Sequence, residues 1–80
     1  MAILNITYQG YSADVPIELE RTISDADVRR IAVELVRSGG VPGLQLANLP
    51  ADAFTHYVVD RFDGDHGPRL FLRPKVPFGA

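Results

Sequence analysis

The alternation of hydrophobic and polar positions predicts a strand hairpin at the start of the chain. Every second residue is apolar in residues 4–8 and again in residues 15–19, which is typical of strands with one buried face. The intervening residues 9–12 include glycine and predict the turn. Pro16 cannot donate a hydrogen bond to a neighbouring strand, so we expect the second strand to lie at an edge of the sheet.

The middle of the chain predicts one amphipathic helix beginning at Asp25. Ser24 is a favourable N-cap residue, and Gly39 or Gly40 can adopt the left-handed conformation that ends helices. Apolar residues recur with the spacing of a single buried stripe. The predicted stripe consists of Val28, Ile31, Ala32, Leu35 and Val36. Val33 falls outside this stripe, and we expect it on the polar side of the helix.

The second half of the chain predicts a packed loop and then a second hairpin. Residues 41–49 are rich in leucine and valine, so we expect them to pack on the core, with or without a short strand. Residues 54–62 and 69–73 predict the last two strands, and the intervening residues 63–68 have the composition of a turn.

Two prolines mark the end of the domain. Pro74 and Pro77 should stop the last strand because proline lacks the backbone N–H that a sheet requires. We therefore expect one domain at residues 1–76 and a short C-terminal tail at residues 77–80.

The composition restricts the chemistry open to this chain. With 80 residues, nearly all apolar side chains are needed for one core, and the absence of cysteine excludes thiol chemistry. The net charge of -2 lacks the basic surplus typical of nucleic-acid or anionic-membrane binding. No segment approaches the roughly 20 apolar residues of a membrane span, and residues 1–8 resemble a strand more than a signal peptide. We expect a cytoplasmic protein.

The last hairpin carries the strongest functional candidate. If Leu70 and Leu72 point into the core and Phe62 pairs with Arg69, the register places Tyr57 and Val59 inward. The outward residues are then His56, Val58, Asp60, Phe62, Arg69, Phe71 and Arg73. Apolar groups framed by arginines are typical of a protein-binding surface.

We predict that a partner protein binds Val58, Phe62, Arg69, Phe71 and Arg73. An alternative remains open, in which these residues only follow strand propensity and Asp60 pairs diagonally with Arg69 or Arg73.

The turn of the last hairpin supplies donors for a cation, but in no recognised pattern. Asp63, Asp65 and His66 are close in sequence, and His56 could join them. The spacing matches no ligand motif, and aspartate and glycine are ordinary turn residues. The sequence places no nucleophile beside them. We expect no metal site, no cofactor and no enzyme activity.

The order of elements, a loop beginning Gly40-Val41-Pro42 and a late strand Leu70-Phe71-Leu72-Arg73 together resemble the ubiquitin-like β-grasp superfamily. The resemblance implies an α+β fold of the ββαββ type, in which a four-stranded mixed sheet packs on one helix. It implies that the last strand lies parallel to the first, with sheet order 2-1-4-3. It also implies that partners bind the outer face of the sheet.

Two features depart from the conjugated members of that superfamily. Modifiers and sulfur carriers end in two glycines, whereas this sequence ends Phe78-Gly79-Ala80, and Lys75 is its only lysine. We therefore favour a non-catalytic protein-binding module. The main alternative is a modifier or sulfur carrier that is activated at Gly79 after loss of Ala80, and a third is an accessory subunit of an enzyme.

Overall fold

The architecture is a four-stranded mixed sheet with one helix, seen in a computed structural model that describes residues 1–65 and 67–75. This confirms the α+β class. The elements are β1 (Ala2–Tyr8), β2 (Tyr11–Ile17), α1 (Asp25–Ser38), β3 (Tyr57–Gly64) and β4 (Gly67–Pro74). The predicted tail at residues 77–80 lies outside the described residues.

The first hairpin is tighter than its sequence predicts. Tyr8 pairs with Tyr11, so the turn consists of Gln9 and Gly10 alone. These two residues have φ angles of 49° and 82°, which is the backbone of a type I′ turn and suits the twist of the adjoining strands. Consequently β2 begins at Tyr11 and ends at Ile17, four residues earlier at its start and two earlier at its end than the predicted residues 15–19.

The sheet has the order β2-β1-β4-β3. Its central strands, β1 and β4, run parallel, with Leu4 paired to Leu70 and Ile6 to Leu72. All four side chains are buried, because central strands under a helix have one face fully covered. β2 is an edge strand, and Pro16 is exposed on it, as its missing N–H predicts.

The helix begins and ends as predicted. The Ser24 Oγ accepts a hydrogen bond of 3.1 Å from the backbone N–H of Asp27, and Gly39 at the C-cap has a φ of 82°. Aspartates in the first turn and an arginine in the last turn suit the helix dipole.

The buried face of α1 differs from the prediction. Val33 is only 3% exposed, so its predicted position on the polar side is wrong, whereas Ile31 and Leu35 are only partly buried. The covered face is therefore rotated toward Val33. Sequence periodicity alone missed this rotation because it ignores which neighbouring segment covers each side of the helix.

The loop between α1 and β3 is what covers that side. Two helix arginines hold the loop and the strand that follows it: the Arg37 Nε donates to the Leu49 carbonyl oxygen in the loop at 2.7 Å, and Arg29 donates to the carbonyl oxygen of Tyr57, the first residue of β3, at 2.9 Å. The arginine stems extend along the apolar surface while their guanidinium groups cap loop carbonyls. Val33 lies between them and is therefore buried.

The loop also contributes to the core, as its apolar composition predicts. Val41 and Leu49 are buried, and Phe54 is among the largest fully buried side chains. Only an isolated bridge between Val41 and Leu44 forms there, in place of a short strand. The predicted strand at residues 54–62 begins later, at Tyr57.

Candidate functional site

The last hairpin has the register that the sequence predicts. Phe62 pairs with Arg69, and Val59 pairs with Leu72 on the inner face. The two strands extend further than expected, up to a pair between Gly64 and Gly67. The strands therefore include most of residues 63–68, for which a six-residue turn was predicted.

This register brings the five predicted partner-binding residues onto the outer face of the sheet. We call them the outer patch: Val58, Phe62, Arg69, Phe71 and Arg73. The rings of Phe62 and Phe71 meet edge to face, with their centroids 5.6 Å apart. Phe62 is 58% exposed and Phe71 is half-buried, so it is mainly the Phe62 ring that faces solvent.

The two arginines of the outer patch differ in their surroundings. The Arg73 Nε donates to the Asp60 Oδ2 at 2.5 Å, which is one of the diagonal pairs that the sequence left open. The nearest carboxylate oxygen to Arg69 belongs to Asp14 on β2, at 3.9 Å. Because an exposed pair at that distance contributes little, Arg69 keeps most of its donors for another acceptor.

The structure adds residues from β1 that sequence reasoning missed. Ile3 pairs with Arg69 and Asn5 pairs with Phe71 across the parallel strands. The Asn5 Nδ2 donates to the Asp14 Oδ1 at 2.9 Å, so a fixed polar cluster bounds the patch toward β2. If Leu4 points inward, alternation predicts that Ile3 points outward. Only the register between β1 and β4 shows that Ile3 lies beside the outer patch.

A second set of charges ties the hairpin to the start of the helix. The Arg61 guanidinium lies 2.5 Å from the Asp25 Oδ1, and Arg21 lies 3.1 Å from Asp63. Arg21, Arg61 and Asp63 border a shallow groove of about 210 Å³, which Glu20 also lines. Each cation there faces a carboxylate, so the groove offers little charge to a ligand.

The structure separates the residues considered for a metal site. His56 precedes β3 and Asp63 lies near its other end, about 20 Å away at the usual rise of a strand. His56 therefore cannot join the hairpin turn. Within residues 1–65 and 67–75, no three acidic or histidine side chains come close enough to hold a metal ion. His66 lies outside the described residues.

One tyrosine has a perturbed ionisation. Burial raises the pKa of Tyr57 above its ordinary value of 10.0, and the neighbouring Tyr8 raises it further. Phe54 lies between the two tyrosines, with its ring centroid 4.8 Å from that of Tyr57 and 5.8 Å from that of Tyr8. The uncharged phenol suits this aromatic cluster, which has a structural role.

Comparison with known proteins leaves the family open. Neither the protein-family models, nor the curated proteins, nor the solved structures give a match to this chain. In the part of the chain that is described, no helix combines the length and the apolar character needed to cross a bilayer. Gly79 and Ala80, on which the modifier alternative depends, lie outside the described residues.

Proposed function

We propose that this chain is a ubiquitin-like β-grasp domain that acts as a non-catalytic protein-binding module, with the outer patch as its binding surface. The element order, the strand order and the parallel pairing of the first and last strands support the fold assignment. The observation that carries the function is the aromatic pair on the outer face beside Arg69, in which Phe62 is exposed and Phe71 is half-buried.

The chemistry of the outer patch suits a protein partner. Aromatic side chains gain apolar contact when a partner displaces water, and an arginine at the rim supplies directional hydrogen bonds. Phe71 is at the centre, since it pairs with Asn5 on one side and Asp60 on the other. A central anchor of this kind typically contributes about 2 kcal/mol to binding, or roughly thirty-fold in affinity.

Quantitative capture of partners from the protein's own cells tests this proposal. Phe71→Ala and Arg69→Gln should reduce recovery of a specific partner while the domain stays folded, as checked by circular dichroism. Leu46→Ala is the matched control, because Leu46 is also exposed but lies in the loop before β3. Undiminished recovery by Phe71→Ala would contradict the assignment of the outer patch.

Deletion of residues 79–80 separates the module from the modifier alternative. The binding module keeps its partner after this deletion, because the outer patch is intact. A modifier or carrier instead loses all function, including any covalent adduct visible by intact-mass measurement. Loss of function on deletion alone, with Phe71→Ala fully active, would favour the modifier.

A further inference from the structure

The outer edge of β3 is an open strand edge. β3 comes last in the order β2-β1-β4-β3, so one of its sides pairs with no strand among residues 1–65 and 67–75. The opposite edge strand, β2, is protected by Pro16, which lacks a donor. β3 contains no proline, and none of its residues has a positive φ. It therefore lacks the proline and the backbone irregularity that discourage strand pairing elsewhere.

Tyr57 reveals which backbone groups point toward the open edge. Its N–H donates to the Phe54 carbonyl oxygen at 3.0 Å, and its carbonyl accepts from Arg29. Its partner on β4 is Pro74, which cannot donate. Both backbone groups of Tyr57 therefore point away from β4.

The antiparallel ladder extends this result along β3. In such a ladder, every second residue directs both its N–H and its C=O to the same side. Pro68 pairs with Asp63. Pro68 and Pro74 are an even number of residues apart, so the residues opposite them on β3 direct their backbone groups to the same side. The backbone groups that face the open edge are those of Val59, Arg61 and Asp63.

The charged side chains of β3 do not guard this edge, because each already has a partner within the chain. The pairs are Asp60 with Arg73, Arg61 with Asp25, and Asp63 with Arg21. With these charges neutralised, the edge presents backbone donors and acceptors, bordered on the outer face by Val58 and Phe62.

Positive charge is concentrated where β3 begins. A groove of about 360 Å³ runs beside that end, and its lining includes Arg29, His56 and Lys75. Its one acidic lining residue, Asp25, is bound to Arg61. Arg29 makes no ion pair within residues 1–65 and 67–75. A carboxylate from outside the chain would therefore meet uncompensated positive charge there.

We propose that an extended segment of a partner protein adds as a fifth strand to the edge of β3, and that this segment carries acidic residues next to β-branched apolar ones. The main chain of this segment forms hydrogen bonds with the backbone groups of Val59, Arg61 and Asp63, and these bonds supply affinity. Its apolar side chains contact Val58 and Phe62, and its carboxylates lie near Arg29. This edge site shares Val58 and Phe62 with the outer patch but excludes Phe71, which lies on β4.

Amide exchange measured by NMR on the full chain tests the proposal without any mutation. The probe is a synthetic peptide with blocked ends, in which two glutamates precede alternating valines and threonines. Its binding should slow hydrogen exchange at Val59, Arg61 and Asp63 by about tenfold or more. The amides of the intervening residues of β3 already donate hydrogen bonds to β4, so their hydrogen exchange should not change when the peptide binds. Uniform or absent protection along β3 overturns the proposal.

Variants separate the backbone contribution from the charge contribution. Arg61→Pro and Arg61→Ala both remove the ion pair with Asp25, but only proline removes the outward N–H. Peptide affinity should therefore fall about tenfold further with proline than with alanine. Equal affinities overturn the proposal, and if the proline variant does not fold, the exchange pattern of the unmodified chain decides.

Charge and self-association provide the remaining tests. Arg29→Gln should weaken binding of the glutamate peptide several-fold. It should not weaken binding of a control peptide that has lysines in place of the glutamates. Equal weakening of both peptides contradicts the predicted acidic character of the segment. Protection of the same β3 amides that increases with protein concentration in the absence of peptide would assign the edge to a second copy and overturn the proposal.

Discussion

Replacement of Phe54 tests whether the loop before β3 is a structural part of the core. Phe54 is 1% exposed, and deletion of such a buried ring typically costs about 3–5 kcal/mol. Loss of its two edge-to-face contacts places Phe54→Ala near the upper end of that range. A chain of 80 residues is typically stable by only about 4–12 kcal/mol, so this variant should lose at least about two-fifths of that stability and should unfold if the chain lies at the lower end of the range.

Phe54→Leu gives a graded measurement, because leucine keeps most of the apolar volume but loses the ring contacts. We expect a loss of about 1–2 kcal/mol, equivalent to a melting-temperature decrease of roughly 5–15 °C. Urea unfolding followed by circular dichroism measures it, with an unchanged m-value as the check on two-state behaviour. Phe62→Ala is the control, since Phe62 is exposed and should lose less than about 1 kcal/mol. Similar losses from Phe54→Leu and Phe62→Ala would refute the burial argument.

Three further substitutions have expected outcomes. Val33→Thr places a hydroxyl in the buried face of α1 and should cost about 1–3 kcal/mol in urea unfolding, whereas a negligible loss would mean that the face is not covered. Because the pKa of Tyr57 is raised in the folded state, the protonated phenol contributes to folding stability fully below about pH 10, and this contribution is lost as the pH rises through the folded-state pKa. Tyr57→Phe should therefore reduce the fall in melting temperature at alkaline pH, and an unchanged fall would contradict this expectation. Gln9→Asn should stabilise the hairpin by roughly 0.5 kcal/mol, since asparagine tolerates positive φ better than glutamine, and a lower melting temperature would argue against the type I′ turn.

The sequence predicted the sheet better than it predicted its surroundings. Alternation and one informative proline were enough to predict the inward faces of the strands and to place Pro16 at an edge, because a strand's two faces and its missing donors are local properties. The same logic set the pairing of Phe62 with Arg69 and so assembled the outer patch. The pairing of the last strand with the first was implied only by the resemblance to the ubiquitin-like superfamily. Whether a partner binds that patch is a question that local patterns do not decide.

The errors have a common physical origin in contacts between distant segments. The prediction for Val33 is wrong because the carbonyls of Tyr57 and Leu49, bound by Arg29 and Arg37, determine which helix side is covered. The cluster around Phe54 and the open edge of β3 likewise depend on tertiary packing and strand order. A periodic pattern predicts how wide the buried face of an element is. Which side of the element is buried is determined by segments that are remote in sequence.

The parallel pairing of β1 with β4 has a consequence for how the chain folds. Leu4 and Leu70 are 66 positions apart, so closing that loop costs on the order of 4 kcal/mol of chain entropy before the contact contributes. Each hairpin can form from neighbouring residues, yet the seam between them requires almost the whole chain. The two halves should therefore combine late and slowly, and a chain truncated before β4 would expose the hydrogen-bonding side of β1 to pairing with other molecules.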